Sequence, residues 1–135
     1  MVKAKLEKQL MISVENKVGA LADVSQIISL AGINLIAVCG YVIDNKGFIL
    51  FVTEDNKKAK ALLMGKNYNI REEEVVLVTL DNKPGSLQNL ARRIADEGID
   101  LNLIYGSADA KGKSSQLVLV SEDNQGVLNI VKAGQ

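Results

Sequence analysis

The sequence predicts an α+β protein made of two ferredoxin-like βαββαβ units in tandem, each an antiparallel sheet with helices on one face. Three observations predict it. A short turn, Asn-Lys-x-Gly, occurs at residues 16–19 and again at 82–85. Segment 14–35 aligns with 80–101 without a gap, pairing Asn16/Asn82, Lys17/Lys83, Gly19/Gly85, Leu21/Leu87, Ile28/Ile94, Gly32/Gly98, Ile33/Ile99 and Leu35/Leu101 identically. Downstream, the triplet Glu54-Asp55-Asn56 returns as Glu122-Asp123-Asn124, displaced by two further residues. A repeat this long, with glycines in register, marks a duplicated supersecondary unit.

The elements follow in order. Residues 11–14 and 75–80 are short β-branched-rich runs, read as first strands. After the Asn-Lys-x-Gly turn, Leu21, Val24, Ile28 and Ala31 fall at helical spacing, as do Leu87, Leu90, Ala91 and Ile94. Gly32 and Gly98 end those helices as left-handed caps. Residues 33–43 pair with 48–53 across a turn at 44–47, and residues 99–108 with 116–120 across a turn at 110–112. Both pairs read as β-hairpins. The Glu-Asp-Asn triplets open the second helix of each unit, where acidic groups suit the positive end of the dipole. A last strand at 68–71 closes the first unit.

The expected units are residues 8–73 and 74–135. A 68-residue displacement carries the last strand beyond residue 135, so the second unit is expected to lack it, leaving one side of its first strand unpaired. Such edges invite pairing. Either the basic leader, residues 2–9, or a neighbouring chain fills the gap.

Composition limits the function. Acids and bases number sixteen each, which removes any general attraction to nucleic acid or to an anionic membrane. The clusters Lys57-Lys58-Lys60 and Arg92-Arg93 read as solvated helix faces. Apolar runs such as 48–52 are far too short to span a bilayer. The leader shows no signal-peptide core, so a cytoplasmic location is expected. The chain has no histidine and one cysteine, Cys39. The commonest general base, the commonest metal ligand and any thiolate cluster are therefore missing, and neither catalysis nor a metal or other cofactor is expected. Cys39, in an apolar strand, reads as a small buried hydrophobe. Tyr41 and Tyr105 read as packing residues. Residues 48–52 are apolar on both alternating faces; one face should meet the helices and the other a second sheet or another chain.

The repeated turn carries the candidate chemistry. Glycine at a strand-to-helix turn lets a ligand approach the backbone closely. The first-turn amides of the helix are donors with partial positive charge, suited to a carboxylate. The neighbouring asparagine amide both donates and accepts, and could orient an amino group. A zwitterion fits this arrangement without net protein charge. The plainer alternative is that Asn and Gly only make the turn, with Ser86 capping the helix.

The segments E-N-K-V-G-A-L-A-D-V and D-N-K-P-G-S-L-Q-N-L, followed by G-I-N-L and G-I-D-L, make the chain resemble tandem ACT-domain proteins, a regulatory family. The resemblance covers all but the leader and the missing strand. It implies modules that pair through their sheets and bind a free amino acid at the interface between units. It implies ligand contacts from Asn16, Val18, Gly19, Ala20 and Leu21 in the first loop, and from Asn82, Pro84, Gly85, Ser86 and Leu87 in the second. The start of the second strand of the paired unit, Asn34 or Asp100, would complete each site. Val18 departs from the family's usual proline, which Pro84 keeps; Asp100 departs from its usual asparagine, which Asn34 keeps. The partners implied are a free amino acid, a second copy of the chain in a homodimer through sheet edges or faces, and a regulated enzyme.

The same fold class hosts other functions. An acylphosphatase-like enzyme would want an arginine in the first loop, where Lys17 and Lys83 stand. A metal carrier would show Cys-x-x-Cys there. An RNA-recognition module would place aromatics on central strands, and residues 11–14 and 75–80 have none. Glu15, Asp81 and Asp100 are acids near the loops but form no paired acid motif. Two readings remain: an amino-acid-sensing module, and a structural dimerisation module with vestigial pockets.

Overall fold

The computed structural model of the chain describes residues 2–108 and 112–134. In order, the elements are β1 (Lys3–Glu15), α1 (Ala20–Leu30), β2 (Leu35–Ile43), β3 (Lys46–Thr53), α2 (Asn56–Gly65), β4 (Asn69–Asp81), α3 (Ser86–Asp96), β5 (Leu101–Ala108), β6 (Ser114–Ser121) and α4 (Asn124–Ala133). The chain divides into two compact units. The first is Lys8–Glu73; the second joins Met1–Glu7 to Glu74–Gln135.

In the first unit the strand order is β2-β3-β1-β4. β3 runs antiparallel to β1, with Ile12 opposite Ile49, and antiparallel to β2, with Gly40 opposite Ile49. Side chains alternate across a strand, so Leu10, Ile12, Ile49 and Phe51 reach one face. There they form a buried cluster with Val24 and Ile28 of α1 and Ala59 and Leu63 of α2. Each large apolar side chain so buried contributes roughly 1.5–3 kcal/mol.

Helix ends explain the chain's turns. α1 stops at Gly32 (φ 73°), whose amide bonds Ser29 while the Ile33 amide bonds Ile28. α3 repeats this at Gly98 (φ 72°), with Ile99 bonding Ile94. Both are Schellman caps, and glycine fills the left-handed position at no steric cost. α2 and α4 begin differently. Asp55 caps the Lys58 amide and Asp123 caps the Gly126 amide. Asn56 takes the Thr53 amide and hydroxyl and donates to the Lys8 carbonyl, while Asn124 does the same with Ser121 and Glu74. The repeated triplet therefore anchors each second helix to its first strand, which is more than a favourable charge at the dipole.

Several expectations are corrected in extent. The β2–β3 turn is only Asp44-Asn45, both at positive φ (50° and 64°), and Ile43 pairs with Lys46. This is the tight hairpin whose twist suits flanking strands. The expected turn at 110–112 lies largely outside the described residues. The short strands expected at 68–71 and 75–80 are one strand, β4. The intervening Glu72-Glu73-Glu74 does not break it, because its side chains have partners: Glu73 accepts from the fully buried Gln9 at 2.7 Å, and Glu72 pairs with Lys60 at 3.0 Å. Likewise β1 starts at Lys3, well before residue 11.

In the second unit the strand order is β5-β6-β4-β1. No strand follows α4 among the described residues. The leader takes that place: residues 3–7 of β1 belong to this unit, and Val2 and Ala4 pack against its core of Val76, Val78, Leu80, Leu90, Ile94, Leu119, Val127 and Val131. Of the two expected fillers, the leader is the one observed. β6 is antiparallel to β4 and β5, and both β2 and β5 begin with the same one-residue register shift, between Leu35 and Ala37 and between Leu101 and Leu103. Among the described residues no helix is long and apolar enough to cross a membrane.

Candidate functional site

In the first unit, β1 ends at Glu15 and α1 starts at Ala20, with the loop Asn16-Lys17-Val18-Gly19 between them. Asn16 donates its amide to the carbonyl of Asn45 at 3.1 Å, which ties the loop to the β2–β3 hairpin tip. The second loop is tied in the same way. The Asn82 amide bonds the Lys113 carbonyl at 2.8 Å, and its side chain donates to Gly112 at 3.2 Å.

Gly19 and Gly85 stand at the N-caps of α1 and α3, both with φ 91°, and supply no capping side chain. A φ of this size favours glycine, since a Cβ would crowd the following carbonyl. Nothing lies within 4 Å of where a Cβ would stand on either residue, so the backbone there faces open space. The first-turn donors lack the side-chain acceptor that Asp55 and Asp123 give the other two helices. Ser86 is the first residue of α3, not its cap, which corrects that part of the plainer reading; Gly85 holds the cap position because the turn needs its φ.

Leu21 and Leu87 share helical spacing with Val24 and Leu90 but stay out of the cores, at 54% and 49% exposure. Ala91 is exposed as well. Val18 is fully exposed and Pro84 exposed. In the first unit Leu21 instead walls a cleft of about 320 Å³ with Ala20, Asn16, Lys17 and Glu15. Across from them lie Val38, Gly40 and Val42 of β2, and the floor is formed by Val14, Gly47 and Ile49. Charged and amide groups stand at one end of an apolar trough, as small-ligand sites require.

Asn34 is not in this cleft. It lines a separate surface depression of about 690 Å³ along α1, with Ser25, Gln26 and Ser29, which has no charged residue in its lining. Its amide reaches Glu54 at 3.5 Å, and the Glu54 amide bonds the Asn34 carbonyl. In the second unit the Glu122 amide likewise bonds the Asp100 carbonyl at 3.4 Å, and the Asp100 backbone amide donates to the Glu122 carboxylate at 3.3 Å. Of the expected residues, the first unit's cleft is lined by Asn16, Ala20 and Leu21 and not by Val18, Gly19 or Asn34; Asn34 stands with Glu54, and Asp100 with Glu122. The sequence reading missed Gly40, Val38 and Val42 as cleft residues; the only signal was a glycine inside an apolar strand, which marks close approach. Tyr41 is 39% exposed and stacks on Phe48 at 5.2 Å, rather than packing in the core. Cys39 is half-buried. Among the described residues no group of His, Cys, Asp and Glu is placed to hold a metal ion.

Each of the two units opens a glycine loop from its first strand onto the N-terminus of its first helix. The chain belongs to the ACT domain pair family, whose model matches residues 5–131. Among solved structures it is similar to protein BT0572 from Bacteroides thetaiotaomicron, with a TM-score of 0.90 and 25% identity over 97% of this chain and 90% of that one. It also shares its fold with the regulatory subunit of aspartate kinase from Thermus thermophilus in a ligand-free form (TM-score 0.71, 15% identity, 98% and 96% covered). The regulatory subunit of aspartate kinase from Thermus flavus is a further example (TM-score 0.65, 15% identity, 98% and 95% covered). No curated protein matches the chain in sequence.

Proposed function

We propose that the chain is a regulatory module that binds a free amino acid beside its strand-to-helix loop and passes that occupancy to a partner enzyme, without catalysing a reaction itself. The observation that carries this reading is the cleft that joins Glu15, Asn16 and Lys17 to the start of α1. A carboxylate and an ammonium at one mouth complement the two charges of a zwitterion. The helix N-terminus adds donors for the ligand carboxylate. Membership of the ACT domain pair family and the likeness of fold to aspartate kinase regulatory subunits support a regulatory role over an enzymatic one. A cytoplasmic location agrees with that role.

A structural dimerisation module is the second reading. It is favoured by edge strand β2 of the first unit, which leaves Val42 and Ile43 52% and 56% exposed. Unpaired strand edges with apolar side chains recruit other strands.

A thermal-shift screen of the purified chain against the standard amino acids separates the two. A ligand that binds only the folded state raises stability, by about 2.7 kcal/mol at a hundredfold excess over Kd. The sensing reading expects a clear rise for one amino acid or a small chemical group of them. No rise with any of them at millimolar concentration favours the structural reading.

A further inference from the structure

We infer that the two units are not equivalent binders: the first unit alone takes the ligand, and it takes an amino acid with an apolar side chain. This rests on the amino-acid-binding reading above and adds the number of sites, their place and the ligand's chemistry.

Two glycines sixty-six positions apart in the repeat, Gly40 and Gly106, distinguish the units. In the first unit Gly40 stands opposite Ile49, and in the second Gly106 stands opposite Leu117. Residues directly opposite share a face of the sheet. Ile49 is part of the helix-side core, so a side chain at Gly40 would point to the helix side and into the cleft. The nearest atom to a Cβ built on Gly40 is the Phe48 carbonyl oxygen at 3.8 Å, and no side chain is nearer. Gly106 is different. A Cβ there would collide with the Gln116 carbonyl and with Cδ2 of Leu117, 2.5 Å away.

The opposite strand itself lies nearer in the second unit: Cα of Leu117 is 3.1 Å from that Cβ position, whereas no atom of Ile49 comes within 4 Å of the one at Gly40. Backbone and side chain of β6 together cover Gly106, while β3 leaves Gly40 bare. Gly47 of the first unit, in register beside Val14, is Ser115 in the second, beside Leu80, which narrows the second trough again.

The open cleft states its own preference. Around Gly40 the walls are Val14, Leu21, Val38, Val42 and Ile49, and the charges of Glu15 and Lys17 stand only at the loop end. A zwitterionic head at that end places its side chain over Gly40, among apolar groups. An apolar side chain there would cover Leu21, Val38 and Val42, which stand about half exposed, and would remove apolar area from water that a charged side chain would leave wet. A volume near 320 Å³ lies at the small end of the roughly 300–1,000 Å³ range of ligand sites, which suits a single amino acid rather than a nucleotide.

The test is isothermal titration calorimetry of the whole chain with leucine, isoleucine, valine and phenylalanine, and in parallel with aspartate, lysine and threonine. The expected result is one equivalent bound per chain from the apolar set and none from the polar set. Gly40→Val should weaken binding by at least about tenfold through overfilling the site. Gly40→Ala, with 3.8 Å of clearance, should show a smaller loss in the same direction with the fold intact by circular dichroism. Two equivalents in the unaltered chain, preference for a polar amino acid, or indifference to both Gly40 variants would each overturn the inference while leaving amino-acid binding standing. Heat from none of the seven overturns the inference; if the thermal-shift screen with every standard amino acid is also silent, the amino-acid reading falls with it.

Discussion

Asn56 donates its side-chain amide to the carbonyl of Lys8 at 2.7 Å, linking residues 48 positions apart in sequence. The same side chain accepts from the Thr53 amide at 3.0 Å and the Thr53 hydroxyl at 2.7 Å. One residue thus fixes the end of β3, the start of α2 and the middle of β1. Asn56→Ala removes all three bonds and is expected to destabilise the chain by about 2 kcal/mol, since each net hydrogen bond contributes about 0.5–1.5 kcal/mol. Asn124→Ala should behave alike in the second unit, where it bonds Ser121 and Glu74. Urea denaturation checks both; a loss under about 0.5 kcal/mol would show the ties to be incidental.

Backbone strain at the loop gives a second expectation. Gly19 and Gly85 each sit at φ 91° with open space where a Cβ would be. Gly19→Ala and Gly85→Ala should each cost about 1–2 kcal/mol from backbone conformation alone. The loss should appear in chemical denaturation midpoints with m unchanged. A neutral substitution would mean the loops relax away from this turn.

The leader strand supplies a third. Ala4 packs against the second unit's core, and Val2 beside it does so too. Ala4→Asp places a charge against that core and should destabilise the second unit selectively, by about 1–3 kcal/mol. Hydrogen exchange would show faster opening at Val76, Val78 and Leu119 than at Ile12 and Phe51. Equal opening at both sets would contradict the assignment of the leader to the second unit.

Glu72 provides a pH-dependent expectation. Its hydrogen bond and charge attraction to Lys60 at 3.0 Å hold its carboxyl below the ordinary glutamate value, with Lys8 adding a smaller pull. A carboxyl depressed in the folded state adds stability that is full above its unfolded pKa and is lost as pH falls through the folded one. The contribution should therefore fade only below the ordinary glutamate range. Lys60→Met should return the Glu72 titration, followed by NMR, toward its ordinary value; an unchanged titration would show that the pair is not formed in solution.

Much of this architecture was legible because the repeat carries punctuation that backbone physics demands. Gly32 and Gly98 were readable as left-handed caps, and the order of elements followed from two copies of one pattern. Strand lengths were not readable, because Glu72-Glu73-Glu74 looks like a solvated break until Gln9 and Lys60 are seen to partner it. Leu21 and Leu87 keep helical spacing with Val24 and Leu90, and periodicity alone does not tell that they stay out of the cores. Asn45 and Gly40 reach the site through a hairpin register, and a register is set by long-range pairing that local propensity does not encode. The difference between Gly40 and Gly106 is smaller still: both copies carry the glycine, and only how closely the opposite strand approaches it tells them apart.

The most direct measurement of the central claim is an amide NMR titration of the labelled chain with the amino acid that gives the largest thermal shift. Binding at the loop predicts progressive, saturable movement of the Asn16, Lys17, Ala20 and Leu21 amides, with Gly40 moving alongside them. Movement confined to Ser25, Ser29 and Asn34 on the other face of α1, or no movement at millimolar ligand, would contradict it.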